Sequence, residues 1–270
     1  MTAPHPFDQA TAVVFGPAGA RGRTDDRYKA FVGPFGGATA ATMLRAVLEH
    51  PERLGDPVAI TVNYCAPVAD GPFDLQLDPV RTNRSSQHWI VKLKQSDGVA
   101  ATATVMTGVR RDAWTHQPAT APEMPPPDQV EVYGGSRSIP WVRQFRFRFA
   151  RGHPLKARQP DGEPGPSLSH LWIEDDEPRP VDLLSLVNMS DAFFGRIFLV
   201  LGAMLPFGTM SLTTYLHVSA DELLQDPVTA VFGTARANVF HKGFADQTGE
   251  LWLPSGRLAA TTQQITYFKT

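Results

Sequence analysis

The segment SDGVAATATVM at residues 96–106 is echoed by PSGRLAATTQQITYF at residues 254–268. Each opens on a glycine-containing turn, Ser96-Asp97-Gly98 or Pro254-Ser255-Gly256, and both turns are hairpin signals. Each then passes through the run Ala-Ala-Thr. An earlier stretch is echoed as well: VAITVNYCAPVADGP at 58–72 parallels MSLTTYLHVSADEL at 210–223. Two pairs in the same order, set far apart, indicate an internal duplication, and a repeat decides the architecture of the whole chain.

Each half reads as a helix followed by antiparallel strands. In the first, TAVVF (11–15) is strand-like. FVGPFGGATAATMLRAVLEHP (31–51) turns on its glycines into a helix with Met43, Leu44, Val47 and Leu48 as one apolar stripe, ended by Pro51. Strands are predicted at 58–67, 73–82, 86–95 and 99–109. In the second half, RQFRFRFA (143–150) alternates strictly. Phe145, Phe147 and Phe149 share one face. Arg146 and Arg148 share the other, an exposed or partner-facing side. A strand at 168–174, one long apolar helix at 183–205 and strands at 210–218, 229–240 and 249–268 complete it. QPATAPEMPPP (117–127) can hold neither a helix nor a central strand. The division is therefore an N-terminal repeat at 1–115, a Pro-rich linker at 116–135 and a C-terminal repeat at 136–270. The fold class is α+β. A helix wrapped by a curved antiparallel sheet is buried on nearly all sides, which suits the apolar run 192–205.

The chain has 270 residues, 42% of them hydrophobic, and a formal net charge of −2. That length can bury a sizeable core in one large domain or two small ones. The basic footprint of a nucleic-acid binder is missing. Cys65 is the single cysteine, so there is no disulfide framework, and its place in a strand suggests a small buried hydrophobe. The start of the chain has no basic region leading into an apolar run. The stretch 192–205 is too short for a membrane span and contains Arg196. A cytoplasmic protein is expected. The eight histidines show no metal-binding spacing, and G-x-S-x-G around Ser85 or Ser86 is absent.

Gly36-Gly37 sits at the mouth of the first helix. The first N–H groups of a helix lack partners, and the dipole there is positive. A bare helix start can bind an anion or polarise a carbonyl. A tight turn packed against a strand explains the same residues.

The chain resembles the double hot-dog acyl-CoA thioesterases, the thioesterase II-like family. The resemblance rests on PFGG (34–37) before the first helix and Ala66-Pro67 closing the next strand. It continues through RTNRS (81–85), SDAF (190–193) in the second helix and GRLAATTQQ (256–264). It implies a tandem hot-dog fold and hydrolysis of a fatty acyl-CoA by an activated water, with no metal, no cofactor and no covalent intermediate. It also implies a homo-oligomer, dimer or higher, and a place in fatty acid metabolism.

In that family a strand carboxylate, a Ser or Thr and a Gln hold the water. Gln264 falls on the family's glutamine, and the corresponding place in the first repeat is Val105. A solvent-facing strand Gln is the plainer reading. The family's aspartate position falls on Ser211, which can hold a water but cannot take its proton. Asp191 is the substitute base: it lies in an otherwise apolar helix, where an unpaired carboxylate is costly and its pKa rises. Capping or kinking the helix, or pairing with an arginine, are its alternatives. Asn238 is the nearest match to the Ser/Thr position. By the same resemblance, Gly36 and Gly37 would polarise the thioester carbonyl. Arg81 and Arg84, with Arg236 and Lys242, could meet CoA phosphates or be ordinary solvated charge. A non-catalytic acyl-CoA or acyl-ligand binder is the second reading, motivated by Ser211. The related hydratases use an Asp and a His near the start of the helix, and GGATAATM holds neither.

Overall fold

The computed structural model describes residues 3–17, 19–134, 138–154 and 163–270. Its first half contains α1 (Pro6–Ala10), β1 (Val14–Gly16), β2 (Gly19–Arg23), α2 (Gly36–Leu48), β3 (Asp56–Tyr64), β4 (Pro72–Thr82), β5 (Ser86–Gln95) and β6 (Gly98–Gly108). The second contains β7 (Phe145–Arg151), β8 (Ser169–Asp175), α3 (Leu183–Met189), α4 (Arg196–Leu201), β9 (Phe207–Leu216) and α5 (Ala220–Gln225). It ends with β10 (Ala230–Arg236), β11 (Phe240–His241), β12 (Phe244–Trp252) and β13 (Leu258–Phe268).

All thirteen strands join one sheet in the order β1-β2-β4-β5-β6-β3-β9-β13-β12-β10-β8-β7, with β11 on β12. The order β2-β4-β5-β6-β3 in the first half is matched by β8-β10-β12-β13-β9 in the second. The halves meet where β3 and β9 pair antiparallel, Thr61 opposite Thr213, their hydroxyl oxygens 3.0 Å apart. A local two-fold through that pair maps Ile60 onto Leu212. Ile60 pairs with Val105 and Leu212 with Gln264. The register therefore puts Val105 in the place of Gln264.

The alternating burial of β5 and β13 turns one face of the sheet onto the helices. α2 is buried over most of its length because the sheet and α3 enclose it. At Gly37 the two helices approach closely: a Cβ there would meet Asn188 O at 2.4 Å. One large core joins both halves. A smaller cluster of Trp172, Phe232 and Trp252 lies on the other face of the second half, covered by Ala121 and Met124. Residues 109–126 hold no helix or strand. They are tied down there, Trp172 Nε1 donating to Pro125 O and Leu258 N to Gln117 Oε1, each at 2.8 Å.

Three expectations need correction. The helix expected at 183–205 is two short helices with a break over Ser190–Gly195. Ser190 Oγ turns back to Val187 O, and Ala192 N closes on Met189 O, so the chain tightens and leaves the helix. The break is held from outside. Phe193 seats on Gly233 and Gly249, where a Cβ would meet its ring at 2.6 and 2.9 Å. Arg196 donates to the carbonyl of Phe194. The strand expected at 229–240 stops at Arg236, because Asn238 turns to bind Asp246. Arg146 and Arg148 are not a free charged face, since both reach Glu174 on the paired strand.

Candidate active site

An apolar cavity of about 390 Å³ opens at the start of α2, between α2, α4 and the ends of β3, β9 and β13. Phe35 and Trp141 form one wall, stacked at 4.3 Å and nearly parallel. Phe193, Phe194, Phe198 and Phe207 contribute to the others. The polar groups in the lining are few: Thr39, Tyr64, Tyr133, Asp191, Thr209 and Gln264, beside the backbone of Gly36 and the rim residues Cys65 and Tyr267. No histidine lines it among the described residues.

The helix break delivers Asp191 to this cavity. The residue is 8% exposed, and its carboxylate lies against the first turn of α2. Gln264 Nε2 donates to Asp191 Oδ1 at 2.8 Å, and the Gly37 N–H donates to the same carboxylate. Asp191 Oδ2 rests over Gly36, where a Cβ would meet it at 2.7 Å. Both glycines are explained by these approaches. Gly36 makes room for a carboxylate and Gly37 for the carbonyl of Asn188. Burial pushes the Asp191 carboxyl up to about 7, against the opposing pull of the Gly37 N–H and Gln264. A group poised there takes a proton near neutral pH.

Two other groups, half-buried Tyr64 and buried Arg196, frame this centre. Tyr64 Oη donates to Gly36 O at 2.7 Å. Arg196, 2% exposed, has no carboxylate partner among the described residues. It is held by neutral oxygens: Gln247 Oε1 at 3.1 Å, Ser169 Oγ at 2.7 Å and the carbonyls of Phe194 and Ser167. Burial lowers its pKa to about 9. Gln247 pairs across the sheet with Gln264, so Arg196 braces the strand beside the polar centre.

The other predicted residues lie elsewhere. Ser211 falls on the outer face of β9, in register with exposed Asn63 and Ile265, while its neighbour Leu212 points to the core. Before Ser211 the ladder carries a bulge at Met210: Ile265 pairs with Ser211 but Thr266 with Thr209. Thr209 therefore reaches the cavity, a residue the sequence reading missed. Regular alternation counted from Leu212 would place Met210 inward, and no local signal marks the bulge. Asn238 is exposed and spends its amide on Asp246. Arg81 and Arg84 are exposed at the β4–β5 turn, Arg81 donating to Asn83 Oδ1 at 3.0 Å. Gln87 ties that end of the sheet to Glu52 and Leu54, beyond the far end of α2. That is about 20 Å from the cavity at 1.5 Å per helical residue. Cys65 is exposed rather than buried, on the cavity rim.

The sequence matches the model of the acyl-CoA thioesterase N-terminal domain over residues 24–108 and that of the C-terminal domain over 117–268. No curated protein matches it. Among solved structures, it is similar to a conserved hot-dog protein of unknown function from Alicyclobacillus acidocaldarius, at 38% identity and TM-score 0.93, covering 99% of both chains. A putative thioesterase II from Thermobifida fusca shares 20% identity at TM-score 0.85 over the whole of both chains. An acyl-CoA thioesterase II from Mycobacterium marinum shares 16% identity at TM-score 0.72, over 97% of this chain and 98% of that one. Both domain models in tandem, on a hot-dog scaffold shared end to end with these structures, leave one assignment: the chain belongs to the acyl-CoA thioesterase family.

Proposed function

We propose that the protein hydrolyses a fatty acyl-CoA to the free acid and CoA, with Asp191 as the base that activates water. The observation that carries this reading is a buried carboxylate, bound by Gln264 and by the head of α2, inside a mostly apolar cavity. The acyl group lies along the aromatic walls. The thioester carbonyl approaches the start of α2, where the Gly36 N–H and the helix dipole face developing negative charge. The Gly37 N–H is engaged by Asp191, so the carbonyl role expected of both glycines falls to Gly36 alone. Gln264 fixes one carboxylate oxygen and leaves the other toward the substrate side. Thr209 offers a hydroxyl from β9.

Water adds to the carbonyl carbon as Asp191 takes its proton. The intermediate collapses, the carbon–sulfur bond breaks, and the CoA thiolate takes that proton from Asp191. The matching strand orders support repeats at 1–115 and 136–270 joined by 116–135. The cavity then uses both: Gly36 and Tyr64 from the first, Asp191, Thr209 and Gln264 from the second.

Free-thiol release from short, medium and long acyl-CoAs tests this, beside the Asp191→Asn and Gln264→Ala proteins. Removing the base is expected to slow turnover by about 10²- to 10⁴-fold. Saturable acyl-CoA binding without thiol release from any of them would replace the enzyme with a binding protein.

A further inference from the structure

We propose that Tyr64 is the second holder of the hydrolytic water, opposite Asp191 across the bare Cα of Gly36, an inference that rests on Asp191 as the base. A Cβ on Gly36 would meet Asp191 Oδ2 at 2.7 Å and Tyr64 Oη at 3.1 Å, so two oxygens from different repeats converge on one glycine. Both side chains, and Gly36 itself, line the cavity. The single phenolic proton is committed to Gly36 O at 2.7 Å. The Tyr64 oxygen can therefore only accept from anything else it meets. Burial, and the charge of Asp191, hold that proton on the phenol.

Gln264 and Gly37 already donate to the Asp191 carboxylate, and its Oδ2 faces the same spot. A water resting there on the cavity side meets two acceptors. It gives one hydrogen to Asp191 and the other to Tyr64, and its lone pair points into the cavity at the thioester carbon. In the attack the new carbon–oxygen bond forms, the carbonyl pair moves onto its oxygen, and Asp191 receives one proton. The hydrogen on the Tyr64 side stays with the added oxygen. Tyr64 neither gains nor loses a proton and acts by orientation. Collapse re-forms the carbonyl, breaks the carbon–sulfur bond and returns the Asp191 proton to sulfur.

The test is Tyr64→Phe in the full chain, which keeps the ring and removes one oxygen. Steady-state thiol release from the best acyl-CoA substrate of the panel is compared with wild type, Asp191→Asn and the double variant. Loss of one hydrogen bond to the water lowers kcat about tenfold and leaves KM within about twofold. Because both residues act on the same water, adding Tyr64→Phe to Asp191→Asn costs no further rate. An unchanged kcat for Tyr64→Phe overturns the inference, as does a double-variant loss equal to the product of the single losses. Gly36→Ala is the second variant. It drives a methyl between the two oxygens, and a kcat equal to wild type in that folded protein also overturns the inference. Full activity in Asp191→Asn would instead remove the base, and with it the reading above, whatever Tyr64→Phe does.

Discussion

Replacing Asp191 by asparagine separates what the carboxylate costs the fold from what it does in the cavity. Burial raises the Asp191 pKa from its ordinary 3.8 to about 7. Between those values the folded protein keeps a proton that the unfolded chain has released, so stability falls as pH rises through that window. Three pK units at about 1.4 kcal/mol each amount to about 4 kcal/mol of penalty above pH 7. The asparagine side chain carries no charge and escapes it. Its amide must still meet Gln264 and the Gly37 N–H. A flip of the Gln264 amide keeps one contact, and the imperfect remainder costs about 1 kcal/mol. At pH 8.5 the variant is therefore expected to be more stable by about 3 kcal/mol. At this chain length that is on the order of 6–12 °C in Tm. At pH 5 only about 1.7 kcal/mol of the penalty has accrued, and the variant's advantage shrinks to about 0.7 kcal/mol. Asp175, which burial also raises to about 7, contributes the same slope to both proteins and drops out of the difference. Urea unfolding of the two proteins at pH 5, 7 and 8.5 measures it. Parallel stability curves would refute the reasoning, because the carboxylate would then titrate alike in folded and unfolded chains. Activity runs the opposite way: kcat/KM of the wild type rises with pH through about 7, as the base form appears.

Gln264→Ala removes a donor that lowers the Asp191 pKa, so the acid limb of the pH–rate profile moves to higher pH; an unmoved limb would exclude that contact. Ser211→Asp adds a carboxylate on the outer face of β9, and thiol release is expected to stay within about twofold of wild type, a difference too small to involve the base. Gly37→Ala meets the Asn188 carbonyl at 2.4 Å, backbone that cannot yield without parting α2 from α3, and should cost about 1–3 kcal/mol by denaturant melts. Arg196→Met orphans Gln247, Ser169 and the Phe194 carbonyl and is expected to destabilise by about 3 kcal/mol; a neutral result would mean that the guanidinium does not hold the break.

Repeats and hairpin turns were readable because they are local in sequence. Ser96-Asp97-Gly98 and Pro254-Ser255-Gly256 do precede β6 and β13, and the Met43, Leu44 and Val47 stripe is buried in α2. Gln264 could be singled out because its counterpart is Val105, and the register supplies the same pairing. Asp191 stood out as a carboxylate in an apolar run. The break beside it did not, since residues 183–205 read as one long apolar helix. What stops the helix is tertiary: a ring seated on two glycines of distant strands, and a guanidinium bound by carbonyls from other elements. Thr209 was missed for a related reason. Period-two counting assumes an unbroken ladder, and one bulge at Met210 reverses the faces before it.

Duplication also raises the question of why the two halves do not carry two equal sites. The two helix starts differ in how their first N–H groups are met. α3 is capped by its own Asp182, whose side chain accepts from Ser185 N and is paired with Arg179. The flanking residue of α2, Phe35, makes no such bond. Its first turn is left for a carboxylate from the other repeat, and Asp191 fills that need through the Gly37 N–H. On the sheet, the place that Gln264 occupies in the second repeat holds Val105 in the first. The start of α3 is thus satisfied locally and faces no glutamine, while the start of α2 is satisfied across the dyad. Local capping closes one half and its absence opens the other. The cavity built from both repeats follows from which helix brings its own cap.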